Sequence, residues 1–212
     1  MRAALIVFAG AAMGGAFLLT RDAQAADYTA TDPASDPATD PAAQDSVLDT
    51  VVNYVIPVDI AMSNQNLQAF LTLIRTGEGT ADAGGYSRLY GGGSFSSFAD
   101  HPRQVVTRGG WSSTAAGAYQ ILSRTWDDLR AQGYDLPDFS PENQDKAAVA
   151  LIKRRGALAD VLAGRFDRAI AKCNQEWASL PGSPYGQRTL SMTKAHQVLA
   201  LAGGVSSDGA TA

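Results

Sequence analysis

Residues 65–80 read "QNLQAFLTLIRTGEGT", and this stretch predicts a helix that ends beside a single carboxylate. Its apolar side chains recur at the i, i+3, i+4 and i+7 spacing of one helix face, at Leu67, Phe70, Leu71 and Ile74. Asn64 or Asn66 is the expected N-cap. Gly77 is expected to break the helix just before Glu78. Glycine on both sides of Glu78 leaves room beside its carboxyl group for a bulky polymer.

The residues after this helix predict a mostly helical body with one small lobe. "GGYSRLYGGGSFSSFADHPR" (84–103) is rich in Gly, Ser and aromatic residues, which predicts a small β-hairpin or loop lobe. Apolar periodicity predicts further helices near 115–131, 139–156, 157–163, 167–178 and 190–202. Ser140 is the expected N-cap of its helix, and Pro141 the first helical residue. The pattern predicts an α+β domain over residues 65–205.

The charge of the chain is unevenly distributed along its 212 residues. Residues 26–64 contain seven Asp and no Lys or Arg, within a chain of formal net charge −4. Residues 65–212 contain 15 Lys and Arg against 13 Asp and Glu, a net charge of +2. A mildly basic body suits an anionic polymer such as a bacterial cell wall. The longest basic cluster is "KRR" at 153–155, so nothing indicates a nucleic-acid-binding protein.

The chain opens with a segment typical of export. Arg2 precedes residues 3–19, which are uncharged and mostly apolar. "AQA" at 23–25 has the small residues that signal peptidase recognises. Residues 1–25 are therefore either a signal peptide cleaved before Ala26 or an uncleaved membrane anchor of the signal-arrest-release kind. Both interpretations place the body outside the cytoplasm, in the periplasm or tethered to the outer face of the cytoplasmic membrane.

Residues 26–64 are predicted to form an acidic linker. "TDPASDPATDPA" (31–42) repeats Asp-Pro every four residues. Proline removes backbone donors and the aspartates repel one another, so this tract is expected to be a disordered, extended spacer. "VLDTVVNYVIPVDI" (47–60) is more apolar and β-branched. It is expected to dock on the body as a strand or to lie as an ordered arm.

The single cysteine and the two histidines indicate no metal site. Cys173 has Ile170 and Trp177 at helical spacing and no nearby histidine, which favours a buried structural thiol over a nucleophile. His101 and His196 lie far apart along the chain. We therefore expect no metal and no cofactor, and nothing in the sequence requires more than a monomer.

Glu78 has the position that a general acid needs. A carboxyl group in a partly apolar pocket keeps its proton to higher pH, because desolvation disfavours the charged form. Cleavage of a glycosidic bond requires such a group to deliver a proton to the leaving oxygen. A lone Glu at a helix end is more often simply solvated, so this stretch alone leaves both interpretations open.

Seven short stretches of the body favour the catalytic interpretation. They are, in order, "AFL" (69–71), "EGT" (78–80), "FADHPR" (98–103), "STAAGAYQILS" (113–123), "DFSPENQD" (138–145), "RRGAL" (154–158) and "WASLPGSPYGQ" (177–187). Their order and spacing resemble the lysozyme-like lytic transglycosylases of the bacteriophage lambda endolysin type. The resemblance covers nearly the whole body and does not extend to residues 1–64. It implies a lysozyme-like fold, peptidoglycan glycan strands as the partner, and Glu78 as the catalytic acid.

The resemblance also implies a reaction that consumes no water. Glu78 would protonate the oxygen that joins N-acetylmuramic acid to N-acetylglucosamine, and would then take the proton of the muramic acid 6-hydroxyl to give a 1,6-anhydro end. A hydrolytic muramidase on the same fold normally uses a second carboxylate, for which Asp82 and Asp100 are the candidates. We interpret both as structural. The alternative from another class is an inactive glycan-binding component of a virion or secretion machine.

Five further residues are predicted to hold the glycan, namely Tyr86, Tyr119, Gln120, Tyr185 and Gln187. Gln120 lies where related transglycosylases place a substrate-facing Gln after a Gly-containing turn. Tyr119 is either a glycan contact or a core residue. Tyr185 and Gln187 lie in the loop "SPYGQ", where a tyrosine is seldom needed for packing.

Five polar or aromatic residues of the same stretches have a structural interpretation. Trp126 and Trp177 have other apolar residues at helical spacing and are expected in the core. Ser113 and Thr114 precede the predicted helix and are either its caps or glycan contacts. Gln144, on the helix after "SPEN", is expected to have a structural role.

Overall fold

The computed structural model describes residues 47, 49–53 and 55–207. The predicted signal peptide or anchor at 1–25 and the Asp-Pro tract at 31–42 lie outside the described residues. Within the described ranges, no helix combines the length and the apolar composition that crossing a membrane requires.

The described part of the chain folds into α-helices and one two-stranded sheet. Helix α1 occupies the described residues between 47 and 55. The other helices are α2 Val58–Ala61, α3 Gln65–Glu78, α4 Ser123–Ala131, α5 Pro141–Arg154, α6 Leu158–Leu162, α7 Phe166–Cys173 and α8 Met192–Leu201. Strands β1 Val106–Arg108 and β2 Trp111–Ser113 pair antiparallel, with Val106 opposite Ser113. The predicted α+β class, mostly helical with a small β-hairpin, is confirmed.

Helix α3 lies at the centre of the core, as its periodicity predicts. Its fully buried side chains are Leu67, Phe70, Leu73 and Ile74. Asn64 Oδ1 accepts a hydrogen bond of 3.1 Å from the Leu67 N–H, so Asn64 and not Asn66 is the N-cap. The Phe70 ring stacks on Phe166 of α7, with centroids 6.5 Å apart. Burying each large apolar side chain contributes about 1.5–3 kcal/mol, which fixes α3 and the residue at its C-terminal end.

The helix predicted at 115–131 begins only at Ser123. Leu122 is the N-cap of α4, so the cap expected at the start of the predicted helix is wrong. Thr114 Oγ1 instead accepts the Ser123 N–H at 3.1 Å, across the intervening turn. The residues before α4 form a tight turn, in which Ala116 and Ile121 exchange backbone hydrogen bonds of 3.0 and 2.9 Å. The prediction is wrong for the first half of this segment, because apolar spacing does not reveal a backbone that reverses direction.

Two residues with positive φ make this reversal, Gly117 at 77° and Gln120 at 48°. A Cβ at position 117 would overlap the side-chain oxygen of Gln144, so only glycine fits there. Gln144 is fully buried; its oxygen accepts the Ala118 N–H at 2.8 Å and its amide donates to the Tyr86 carbonyl at 3.0 Å. Gln144 therefore joins the turn to α5, which confirms its structural interpretation.

The lobe predicted at 84–103 is a loop lobe with two 3-10 turns, and the β-hairpin follows it at 106–113. Asp100 fixes the end of the lobe. Its Oδ2 accepts from the Arg103 guanidinium at 3.2 Å, and its Oδ1 accepts from the Trp126 indole at 3.2 Å. Trp126 is fully buried, as predicted.

The described residues between 47 and 61 form helices α1 and α2 and dock on the body; we call them the arm. Asp49 forms an ion pair of 2.5 Å with Arg165. Asn53 Oδ1 accepts the Ala159 N–H at 3.3 Å. Of the two expectations for this segment, the strand is wrong and the ordered arm agrees with the structure. The predicted linker boundary at residue 64 is also wrong, because the described residues of the arm are folded.

Two helix ends differ in detail from the sequence prediction. Pro141 starts α5 as expected, but the Ser140 hydroxyl makes no capping hydrogen bond. Asp138 Oδ1 instead accepts the Ser140 N–H at 2.9 Å and the Asn143 amide at 2.7 Å. Helix α7 ends early, at Cys173. Cys173 is buried, and burial raises the pKa of its thiol, which confirms a structural cysteine.

Candidate active site

Glu78 is the last residue of α3, and the residue as a whole is partly exposed. The Ser179 hydroxyl donates a hydrogen bond of 2.7 Å to Glu78 Oε1. Burial raises the pKa of the Glu78 carboxyl above its ordinary value of 4.5, and the hydrogen bond from Ser179 partly offsets this rise. Glu78 thus keeps its proton more tightly than a solvated carboxyl group while part of the residue stays accessible to solvent.

The two glycines beside Glu78 have separate roles. Gly79 adopts a left-handed φ of 70° and ends α3. Gly77 is still helical, so the break predicted at this position is wrong. A Cβ at position 77 would lie 2.5 Å from Ser179 Oγ, which is closer than real Cβ contacts. Glycine at 77 therefore lets Ser179 reach the carboxyl group.

Tyr86 and Tyr119 converge on Asp145 of α5. Their hydroxyls donate to Asp145 Oδ1 at 2.9 and 2.6 Å. The Arg75 guanidinium lies over the Tyr86 ring, 4.6 Å from its centroid. We call these four residues the Asp145 cluster. Sequence reasoning missed Arg75 and Asp145, because no local pattern distinguishes them from other charged residues on helices.

Asp145 and the two tyrosines bonded to it have raised pKa values. Burial raises the pKa of the Asp145 carboxyl, and the hydrogen bonds from Tyr119 and Tyr86 and the charge of Arg75 partly offset this rise. Burial, followed by the charge of Asp145, raises the pKa of Tyr86 to about 12. Both tyrosine hydroxyls therefore remain donors to Asp145.

Tyr119 belongs to the core and not to an accessible surface. Only 1% of the residue is exposed. The Trp177 indole donates to the Tyr119 carbonyl at 3.1 Å, and Trp177 is itself buried as predicted. The predicted glycan contact of Tyr119 is wrong, and the alternative interpretation as a core residue is confirmed.

The four other predicted glycan contacts are accessible to different degrees. Gln120 is partly exposed, and its amide donates to the Gly117 carbonyl at 3.0 Å. Tyr86 is partly exposed beside the Asp145 cluster. Tyr185 is 40% exposed, and Gln187 is exposed in the same loop. Their roles in glycan binding stay predictions.

Both candidates for a second catalytic carboxylate are engaged in holding the lobe. Asp82 forms an ion pair of 2.7 Å with Arg88. Asp100 is bonded to Arg103, as described above. Burial acts to raise the pKa of Asp100, but the His101 N–H and the Arg103 guanidinium prevail and lower it. These contacts fit the structural role that the sequence interpretation gave to both residues.

No group of three or more His, Cys, Asp or Glu in the described ranges is arranged to hold a metal ion. A surface cavity of about 440 Å³ lies beside the arm. Its lining residues are Asp49, Thr50, Asn53, Lys153, Gly156, Arg168 and Lys172. Because Glu78 and its neighbours take no part in this lining, the cavity is separate from the candidate active site.

Known proteins are similar to this chain in sequence and in fold. The profile of the Endolysin family matches residues 68–206. The endolysin of Escherichia phage P2 is 43% identical over 159 residues, which cover 68% of this chain and 96% of the P2 protein. The endolysin of Escherichia phage lambda is 44% identical over 131 residues, which cover 58% of this chain and 82% of the lambda protein.

The solved structures agree with the sequence relatives. The structure of bacteriophage lambda lysozyme complexed with a chitohexasaccharide matches with a TM-score of 0.64 and 40% identity. The match covers 68% of this chain and 97% of the lambda chain. A second structure of the lambda lysozyme matches with a TM-score of 0.59 over the same shares. The chain belongs to the Endolysin family and has the lysozyme-like fold that its sequence stretches implied.

Proposed function

We propose that this endolysin cleaves the glycan strands of bacterial peptidoglycan as a lytic transglycosylase. The observation that carries the proposal is Glu78, a partly exposed residue whose carboxyl group is bonded to Ser179 and has a pKa raised by burial. A carboxyl group with these properties suits a general acid. The chitohexasaccharide held by the related lambda lysozyme supports a glycan as the substrate.

The reaction begins with proton transfer from Glu78 to the oxygen between N-acetylmuramic acid and N-acetylglucosamine. The glycosidic bond breaks, positive charge develops at C1 of the muramic acid, and the N-acetylglucosamine leaves as an alcohol. The Glu78 carboxylate then removes the proton of the muramic acid 6-hydroxyl, whose oxygen bonds to C1. Glu78 recovers its proton, and the product carries a 1,6-anhydro ring with no water added.

The state of the other carboxylates supports this route over hydrolysis. A hydrolase normally places a second carboxylate about 5–9.5 Å from the first to attack or to activate water. Asp82 and Asp100 are instead engaged with Arg88 and Arg103. One carboxyl group that serves both proton transfers needs no such partner. Hydrolysis to a reducing end remains the second outcome of the experiment below.

Two exposed residues and two partly exposed residues are proposed to hold the sugars. The Gln120 amide is suited to hydrogen bonding with an N-acetyl group, and Tyr86 and Tyr185 are suited to stacking on a sugar face. Gln187 lies in the same exposed loop as Tyr185. We also infer that the enzyme acts outside the cytoplasmic membrane, since residues 1–25 have the pattern of an export segment.

The test is digestion of purified peptidoglycan, followed by mass spectrometry of the released muropeptides. The protein is compared with Glu78→Gln, which keeps the side-chain shape and cannot donate a proton. Glu142→Gln is the matched control, because Glu142 is 74% exposed in its ion pair with Lys146 on α5. We expect Glu78→Gln to lower the rate at least about 100-fold and Glu142→Gln to leave it unchanged.

The masses of the products separate the competing functions. Products one water lighter than those of a hydrolytic lysozyme, lost in Glu78→Gln, are expected for a transglycosylase. Reducing-end products would replace this mechanism by a muramidase. Absence of products from the unsubstituted protein, together with retained glycan binding, would indicate an inactive binding component.

A further inference from the structure

The segment that supplies Ser179 is a loop closed at its base. The Leu190 N–H donates to the Ser179 carbonyl at 2.8 Å, so the two ends of the stretch 179–190 are joined; we call it the 179–190 loop. Both ends lie against Gly77, because a Cβ there would be 3.1 Å from Ser179 Cβ and 3.6 Å from Leu190 Cδ1. The base of the loop is thus packed on the last turn of α3, one residue before Glu78.

The hydroxyl of Ser179 occupies one oxygen of the Glu78 carboxyl group. It donates to Oε1 at 2.7 Å, and the bond joins residues 101 positions apart in sequence. A protonated carboxyl group that accepts a hydrogen bond at Oε1 carries its own proton on Oε2. The other end of the group is then the one that faces the reaction.

We propose that Ser179 is a positioning residue for Glu78. Its hydrogen bond to Oε1 leaves Glu78 Oε2 as the oxygen that makes both proton transfers, and the closed base of the 179–190 loop holds the Ser179 hydroxyl in place. This inference rests on the proposed function of Glu78. In the acid form the hydroxyl fixes the carboxyl rotamer, and in the carboxylate form it stabilises the negative charge. Tyr185 and Gln187 lie in the same loop, so the segment that positions the acid also presents two of the proposed glycan contacts.

Among the polar groups around Glu78, the Ser179 hydroxyl has the main effect on the pKa of the Glu78 carboxyl group. On its own helix, Arg75 is engaged with Tyr86 in the Asp145 cluster. Asp82 of the lobe is in an ion pair, and Arg188 of the loop is exposed. For the described residues, burial and the Ser179 hydrogen bond account for the shifted pKa of Glu78.

The first measurement is the pH dependence of kcat and kcat/KM for Ser179→Ala, Ser179→Thr and the unsubstituted full chain. Without the hydroxyl, the Glu78 carboxylate loses a stabilising donor and its pKa rises further. We therefore expect the alkaline limb of kcat/KM to move to higher pH in Ser179→Ala. We also expect kcat to fall about 10- to 100-fold, the range for a hydrogen bond to a charged group. Ser179→Thr keeps a hydroxyl and is expected to restore both properties.

Two further variants separate positioning from folding. Gly77→Ala places a Cβ against Ser179 Oγ and is expected to reproduce the lower kcat with the hydroxyl still present. Ser63→Ala removes an exposed hydroxyl that donates to the Ile60 carbonyl at 3.0 Å, and it is the control. The proposal would be overturned if Ser179→Ala lost activity only in proportion to its loss of folded protein, with the alkaline limb of kcat/KM unmoved. An unchanged kcat and an unchanged limb would also overturn it.

A second measurement tests the Ser179 proposal without relying on catalytic activity. The Glu78 carboxyl group is titrated by NMR in the full chain labelled with ¹³C at glutamate side chains, and Glu78→Gln identifies its signal. We expect a higher midpoint in Ser179→Ala than in the unsubstituted protein. An inactive unsubstituted protein that still shows this rise would refute the proposed function and retain the Ser179 interaction. Equal midpoints would refute the Ser179 proposal even in an active enzyme.

Discussion

The placement of Glu78 follows from its two glycine neighbours. Gly77 admits the Ser179 hydroxyl, and Gly79 turns the chain away in a left-handed conformation. The carboxyl group is therefore held by α3 on one side and reached by a distant loop on the other. Such a group is favourable for catalysis and unfavourable for stability, because burial penalises its charged form.

We expect Glu78→Gln to be more stable than the unsubstituted protein at neutral pH. Because the folded-state pKa of Glu78 lies above 4.5, the folded protein loses stability as pH rises from this value through the folded pKa. Glutamine does not ionise, so its variant escapes this loss and keeps the bond from Ser179. Below pH 4.5 the two proteins are expected to have nearly equal free energies of unfolding. Urea denaturation over a pH series measures this; a difference that stays constant with pH would contradict the burial argument.

At the scale of elements, α5 organises the region around the candidate active site. Gln144 holds the turn before α4 and the Tyr86 carbonyl. The next residue, Asp145, accepts both tyrosine hydroxyls. Neighbouring residues on one helix thus join α3, the lobe and the turn that carries Gln120. These buried polar bonds support the shape of the site without contacting Glu78.

We expect Tyr119→Phe to destabilise the protein by about 1–3 kcal/mol, because the partly buried Asp145 carboxyl loses one of its two hydroxyl donors. The rate per folded molecule is expected to stay near that of the unsubstituted protein, since Tyr119 is buried in the core. Chemical denaturation and peptidoglycan digestion measure the two effects. Tyr134→Phe, which removes a hydroxyl from a partly buried tyrosine outside the Asp145 cluster, is the control. A large loss of digestion rate in Tyr119→Phe without loss of unfolding free energy would instead indicate that Tyr119 contacts the glycan.

Sequence patterns predicted those features of the fold that depend on residues close together in sequence. The apolar face of α3, its Asn64 cap and the position of Glu78 follow from spacing within one helix. The turn at 116–121 could not be predicted in this way, because the conformation of Gly117 depends on the approach of Gln144 from α5. Ser179 was likewise missed, since its contact with Glu78 spans 101 residues and no pattern around it signals that partner.

At the scale of the whole molecule, the arm and the candidate active site lie at opposite ends of α3. Asn66 in the first turn of α3 donates to the Leu162 carbonyl of α6, the helix to which Asn53 of the arm is bonded through Ala159. Glu78 lies at the other end of this 14-residue helix, about 20 Å away at 1.5 Å per residue. The arm therefore meets the body at the end of α3 that is remote from Glu78.

We expect the arm to detach without affecting catalysis. Asp49→Asn removes the charge that pairs with Arg165 at 2.5 Å, where 17% of the Asp49 side chain and 23% of the Arg165 side chain are exposed. A partly buried charged hydrogen bond of this kind contributes about 1.5–3 kcal/mol, so amide hydrogen exchange in the arm is expected to accelerate about tenfold or more. Peptidoglycan digestion is expected to be unchanged. Asp59→Asn is the matched control, because Asp59 is 74% exposed in its ion pair with Lys146. Faster exchange at α3 or slower digestion in Asp49→Asn would show instead that the arm is an integral part of the catalytic domain.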